Sequence, residues 1–141
     1  MRQAFTLPEL LLVLALGSIL LGLAIPRLSA ALDRIEVAAA ASHIVAAHQR
    51  ARLTAVTQGL VAVLSVDPRA LTIRRRGQTT PLWSEAGPAA HWVSLVGPAR
   101  QFTFSPEGFS LGLSNATIRL TRGNASRTVI ISRLGRIRVT R

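Results

Sequence analysis

The sequence predicts an α+β protein: a long N-terminal helix, membrane-spanning in its first half, packed on a C-terminal antiparallel β-sheet head. Three observations predict it. Residues 10–26 carry no charged side chain. Residues 28–57 are rich in Ala, with Leu and Arg interspersed, and contain neither Gly nor Pro, a composition that favours helix. Beyond Gly59 the apolar period shortens from helical spacing to alternation.

The apolar run, extended back through residues 5–9, is long enough to cross roughly 30 Å of hydrocarbon as a helix. No polar region with a small-residue cleavage site follows it, so an ordinary secretory signal fits poorly. One carboxylate, Glu9, interrupts it, and a charge within a bilayer costs about 2.5 kcal/mol or more, so it asks for a partner. The four residues before Phe5 supply a route to one. A cut between Ala4 and Phe5 creates an amine four residues ahead of Glu9. A neighbouring copy, shifted along the helix axis, then sets its own amine against this carboxylate. Pro8 falls in the first turn, where its missing N–H costs little.

The second half of the helix shows Leu28, Leu32, Ile35 and Ala39 at helical spacing, then a weaker stripe of Ile44, Ala47 and Ala51. Residues 5–57 as one helix are roughly 80 Å long. Pro26 is expected to bend or loosen it, and Gly59 to stop it. The chain therefore divides into a leader (1–4), a membrane or filament-core helix (5–26), an amphipathic continuation (27–58) and a β-rich head (59–141). Within the head, 60–66, 70–74, 91–96, 101–104, 116–121, 127–132 and 136–139 are strand candidates separated by Gly and Pro punctuation. Residues 77–90 read as an exposed loop carrying Trp83.

The 141 residues hold 17 basic side chains against 6 acidic ones, for a formal net charge of +11, and every basic residue is arginine. Such a surface attracts polyanions. There is no cysteine, hence no disulfide framework and no thiolate chemistry. The histidines His43, His48 and His91 lack metal-ligand spacing, the acids are scattered, and no phosphate-cradling loop is present. No catalytic residue, metal or cofactor is expected.

The arginines gather in two places. Arg74, Arg75 and Arg76 end a candidate strand, where they either bind a partner or guard a sheet edge. At the C-terminus, Arg136 and Arg138 project from one face of an extended chain while Ile137 and Val139 turn to the core, with Gly135 making the turn that lets Arg133 join them. Arg119, Arg122 and Arg127 on the preceding hairpin are expected to widen that patch. With aromatics at only 4% and several of them core-like, nucleic-acid contact would be directed to the backbone and indifferent to sequence.

Residues 4–11, AFTLPELL, followed by the apolar run, resemble the class III signal of type IV pilins and pseudopilins, with Ala4 where that family normally has Gly. The resemblance implies cleavage by a prepilin peptidase before Phe5, methylation of the new N-terminus, and a role for Glu9 in assembly. The head is similar to that of the GspH/FimT family of minor pseudopilins: FTFSPEG at 102–108, ATIRLT at 116–121, RTVIIS at 127–132, then Gly135-Arg136-Ile137-Arg138. In FimT-type members the C-terminal motif contributes to DNA binding during uptake for natural transformation. In GspH-type members the protein sits at the tip of a type II secretion pseudopilus.

The resemblance thus implies a minor type IV pilin whose head binds DNA without sequence preference, through Gly135, Arg136 and Arg138. The alternative is a secretion pseudopilin that primes or caps its filament through protein contacts. An adhesin for an anionic surface would use the same arginines. Other pilin or pseudopilin subunits, DNA, the peptidase and the inner membrane are the expected partners. The protein is expected in the inner membrane with a periplasmic head, then in a pilus or pseudopilus.

Overall fold

The computed structural model describes residues 6–112, 115–132 and 135–140. One helix, α1, runs unbroken from Leu7–Gln58 with Pro26 inside it. It ends at Gly59, whose φ of 60° is left-handed. The chain forms two compact units, residues 1–32 and 33–141.

Taken by itself, the first unit is, from Leu7 on, helix that buries almost nothing. Its Leu, Ile and Val side chains are mostly more than half exposed, as in Leu14 at 66% and Leu20 at 67%. The helix is long and apolar enough to cross a membrane. At its start Thr6 and Glu9 form a capping pair: the Thr6 N–H (3.1 Å) and hydroxyl (3.0 Å) both donate to Glu9 Oε2.

In the second unit α1 buries Val37, Ala40, Ala41, Ile44, Ala47, His48, Ala51 and Ala55, a stripe at helical spacing made chiefly of alanine. The expected stripe of larger residues is not the buried one: Ile35 is 62% exposed. Small side chains let strands approach the helix closely, so residue size rather than hydrophobicity marks the packed face.

The head contains two antiparallel sheets among the described residues, in line with the antiparallel head the sequence predicts. The first comprises β1 (Ala62–Val66), β2 (Ala70–Arg75), β3 (Pro81–Ala86), β5 (Arg100–Phe104) and β6 (Ser110–Leu111), in the order β3-β2-β1-β5-β6. The second comprises β4 (Ser94–Val96), β7 (Ala116–Arg122), β8 (Ala125–Ile131) and β9 (Ile137–Thr140), in the order β4-β7-β8-β9. Alternation sets their inner faces: Ala62, Leu64 and Val66 on β1, Leu71 and Ile73 on β2, Phe102 and Phe104 on β5, Ile118 and Leu120 on β7, Val129 and Ile131 on β8. These join the helix stripe in one apolar core. Full burial contributes about 1.5–3 kcal/mol for each large aliphatic side chain.

Residues 77–90 are not a loop. They contain β3 and most of a short 3-10 helix, Pro88–His91. Pro81 opens β3, an edge strand, where a missing N–H is tolerated. Trp83 packs against the core, with the Arg50 guanidinium 4.9 Å from its ring centroid. Gly87 is required where it stands, because a Cβ there would meet the backbone of Pro68, Arg69 and Ala70 within 2.5–2.7 Å.

Candidate nucleic-acid interface

The second sheet gathers the C-terminal arginines. Its β8–β9 turn is closed by three hydrogen bonds. Gly135 N–H donates to the Ser132 carbonyl (2.9 Å), Ser132 N–H to the Arg136 carbonyl (2.9 Å), and Arg136 N–H to Ser132 Oγ (3.1 Å). Gly135 sits at φ 76°, the left-handed conformation such a turn demands. The turn sets the register Ile131↔Ile137, Ile130↔Arg138, Val129↔Val139.

That register sends Ile137 to the core and leaves Arg138 exposed on the outer face, as expected. Val139 does not follow expectation, being 41% exposed. It shares the core-side parity, but β9 is an edge strand and no further strand covers it. Arg136 is exposed two residues before Arg138, a separation of about 7 Å along extended chain. Arg133, Ala4 and Phe5 lie outside the described residues.

Of the three arginines on the β7–β8 hairpin, only Arg119 joins this face. It is exposed opposite Thr128, which pairs in turn with Thr140. Two strand spacings and two residues separate it from Arg138, about 12 Å. Arg122 and Arg127 have the opposite parity. Arg122 pairs with Asp33 Oδ1 through Nε (2.9 Å) and donates from Nη1 to the His91 carbonyl (2.8 Å). Arg127 lines a shallow depression with Arg34 and Val37 of α1. The expected widening of the patch is therefore limited to Arg119.

Among the described residues the rest of the outer face is uncharged: Thr117 and Ile130 beside Arg138, Val96, Thr128 and Thr140 beside Arg119, then Ser94, Thr121 and Ser126. From Gly108 to Arg141 the sequence holds seven arginines and no acid. Elsewhere, Asp33 is paired with Arg122, Glu36 with His91 (3.2 Å) and Glu85 with His43 (3.1 Å), while Asp67 and Glu107 lie outside the second sheet.

Arg74, Arg75 and Arg76 belong to the other sheet, at the end of β2 beside a register irregularity between Ile73 and Arg74. Arg75 and Arg76 are exposed, whereas Arg74 is half-buried, its Nε without a hydrogen-bond partner. The two arginine clusters thus occupy different sheets.

The fold brings His43 and His91 together, their ring centroids 5.7 Å apart, in a way no sequence spacing signalled. Among the described residues no group of three or more His, Cys, Asp or Glu is placed to hold a metal. His48 is inside the core at 3% exposure, edge-on to Phe104 (centroids 4.8 Å apart). Burial, seconded by the charge of Arg52, pushes its pKa down to about 4. Trp92, inside a strand candidate by sequence, precedes β4 instead and is 82% exposed.

Residues 40–135 match the family described as Type II transport protein GspH, and residues 1–25 match the prokaryotic N-terminal methylation motif. The chain is 32% identical to the pilin-like protein PilA1 of Thermus thermophilus, over 98% of both chains. Its fold is similar to that of the type IV minor pilin FimU of Pseudomonas aeruginosa in two crystal forms. In one the TM-score is 0.62 at 23% identity, covering 77% of this chain and 90% of that one. In the other it is 0.56 at 21% identity, covering 73% and 91%.

Proposed function

The chain belongs to the GspH family of type IV minor pilins and pseudopilins, and from that premise we propose that it is a minor pilin whose head binds DNA along the phosphate backbone, serving DNA uptake in natural transformation. The observation that carries the reading is the outer face of the second sheet. There Arg119, Arg136 and Arg138 are exposed among Ser, Thr and aliphatic side chains with no acid among them. Guanidiniums so spaced neutralise phosphates and release counterions, while nothing on this face resembles a recognition helix for the major groove. Gly135 serves by shaping the turn; Arg133 is a further contact, and the Arg74–Arg76 cluster, beside the other sheet, is a separate one.

The test is a mobility-shift titration against salt on the soluble head from residue 29, since every buried residue lies at or beyond Val37. Arg136→Gln with Arg138→Gln is expected to weaken duplex binding at least tenfold and to flatten the log–log salt slope by about 1.8, for two lost phosphate contacts. A folded double variant that binds like the wild type would remove the reading.

Before assembly the protein is a single-pass inner-membrane protein with a periplasmic head. A prepilin peptidase cuts between Ala4 and Phe5, and the Phe5 amine is methylated. On assembly the neighbour's amine takes the Glu9 carboxylate that caps Thr6 in the free subunit. Sheared filaments should contain a subunit whose mass begins at methylated Phe5, and Glu9→Ala should be missing from them. Retention of Met1 would contradict this.

A second reading is favoured by the match of residues 40–135 to the secretion protein GspH. In that reading the head primes or caps a type II pseudopilus, and the arginines face protein.

A further inference from the structure

Trp92 is the most exposed large apolar side chain among the described residues, at 82%. Among them it is also the one non-glycine residue with positive φ, at 56°. L-residues avoid that conformation, so the surroundings must impose it. They do. Trp92 caps the Pro88–His91 turn, its N–H donating to the Ala89 carbonyl (3.1 Å), and Val93 beside it is anchored in the core at 1% exposure. The turn is pinned from three sides: Ala89 N–H to the Pro68 carbonyl (2.8 Å), Gly87 N–H to the Arg69 carbonyl (2.9 Å), and Arg122 to the His91 carbonyl (2.8 Å). The indole is held outward on a rigid base.

Its surroundings favour a polyanion. Trp92 shares a shallow hollow with Pro68, Ala89, Val93, Ser94 and Leu95. Next to Pro68 is Arg69, and β5 begins with Arg100 opposite Val66, just before that turn. Both arginines are exposed, and neither has an ion pair among the described residues. Of the acids nearby, Glu36 is paired with His91 and Asp33 with Arg122, while Asp67 turns its Oδ1 into its own turn to accept the Arg69 N–H (3.0 Å). Of the large apolar side chains lining that hollow only Trp92 is exposed, Val93 being buried and Leu95 half-buried. One exposed aromatic plane with cations on the neighbouring turns suits base stacking better than a protein-docking core, which gathers several exposed apolar side chains.

Resting on the DNA-binding reading above, we propose that Trp92 stacks on one unpaired base while Arg69 and Arg100 hold the flanking phosphates. The head then grips single-stranded or frayed DNA here, and duplex on the arginine face of the second sheet.

The test uses the full chain in detergent micelles, with a short oligothymidylate and a duplex of equal length as probes. Oligothymidylate is expected to quench the tryptophan fluorescence. Trp92→Ala should lose the quench and bind the single strand about tenfold more weakly, while Trp92→Phe keeps most of the affinity and duplex binding stays unchanged. If Trp92→Ala binds oligothymidylate like the wild type while Arg136→Gln with Arg138→Gln still loses duplex, the stacking site is wrong and the DNA reading stands. If the wild type binds neither probe, both fail together. If Trp92→Ala leaves both affinities intact but drops out of filaments, Trp92 is a contact between subunits and the proposal is overturned.

Discussion

Arg119 and Arg122 lie three residues apart on the same strand and have opposite fates. Arg122 turns inward, its guanidinium bound to Asp33 and to the His91 carbonyl and only 26% exposed. Arg119 turns outward, exposed, on the face that carries Arg138. The same division separates Arg127 from Arg138 one strand further on. The difference teaches that net charge states how many cations the chain owns, while strand parity decides which of them a partner can reach. On the inner face Arg122 is committed to holding the fold, whereas Arg119 and Arg138 on the outer face are exposed to a partner.

The largest effect expected from breaking this division lies inside, at His48. Its folded pKa of about 4 is below the ordinary 6.5, so the unfolded chain takes up the proton first. Its contribution is fully present above about pH 6.5 and is lost as pH falls through 4, about 3 kcal/mol in all. Urea unfolding of the head at pH 7 and pH 4 reads it. His48→Leu should lose less stability than the wild type between the two, by that amount, since all other titrating groups are shared. Next comes Arg122→Gln, which leaves Asp33 and the His91 carbonyl short of a donor. It should cost about 1–2 kcal/mol of stability and leave the salt slope of DNA binding unchanged.

Much of this was legible in the sequence. Composition alone separates α1 from the strands, and Ile118, Leu120, Val129 and Ile131 announce β7 and β8 by alternation. The same alternation puts Arg119 outside and Arg122 inside, although their charge alone groups them together. Other features had no local signature. β3 opens on a proline and carries Ser84 and Glu85, and only pairing with β2 makes it a strand. The buried helix stripe was legible only in part, as the weaker series Ile44, Ala47 and Ala51, because alanine, suited to close approach, is a weaker hydrophobic signal than the exposed Leu28, Leu32 and Ile35. The exposure of Trp92 depends on a turn pinned by residues distant in sequence, so no local pattern reported it.

The most direct measurement of the central claim compares the two faces in one experiment: duplex affinity against salt for the head, with substitutions on one face or the other. Arg119→Gln, Arg136→Gln and Arg138→Gln together should flatten the log–log slope by about 2.7, at 0.9 for each phosphate contact. Arg127→Gln, on the inner face of the same sheet, should leave the slope where it was. Equal flattening by both, or none by the outer-face triple, would contradict the account.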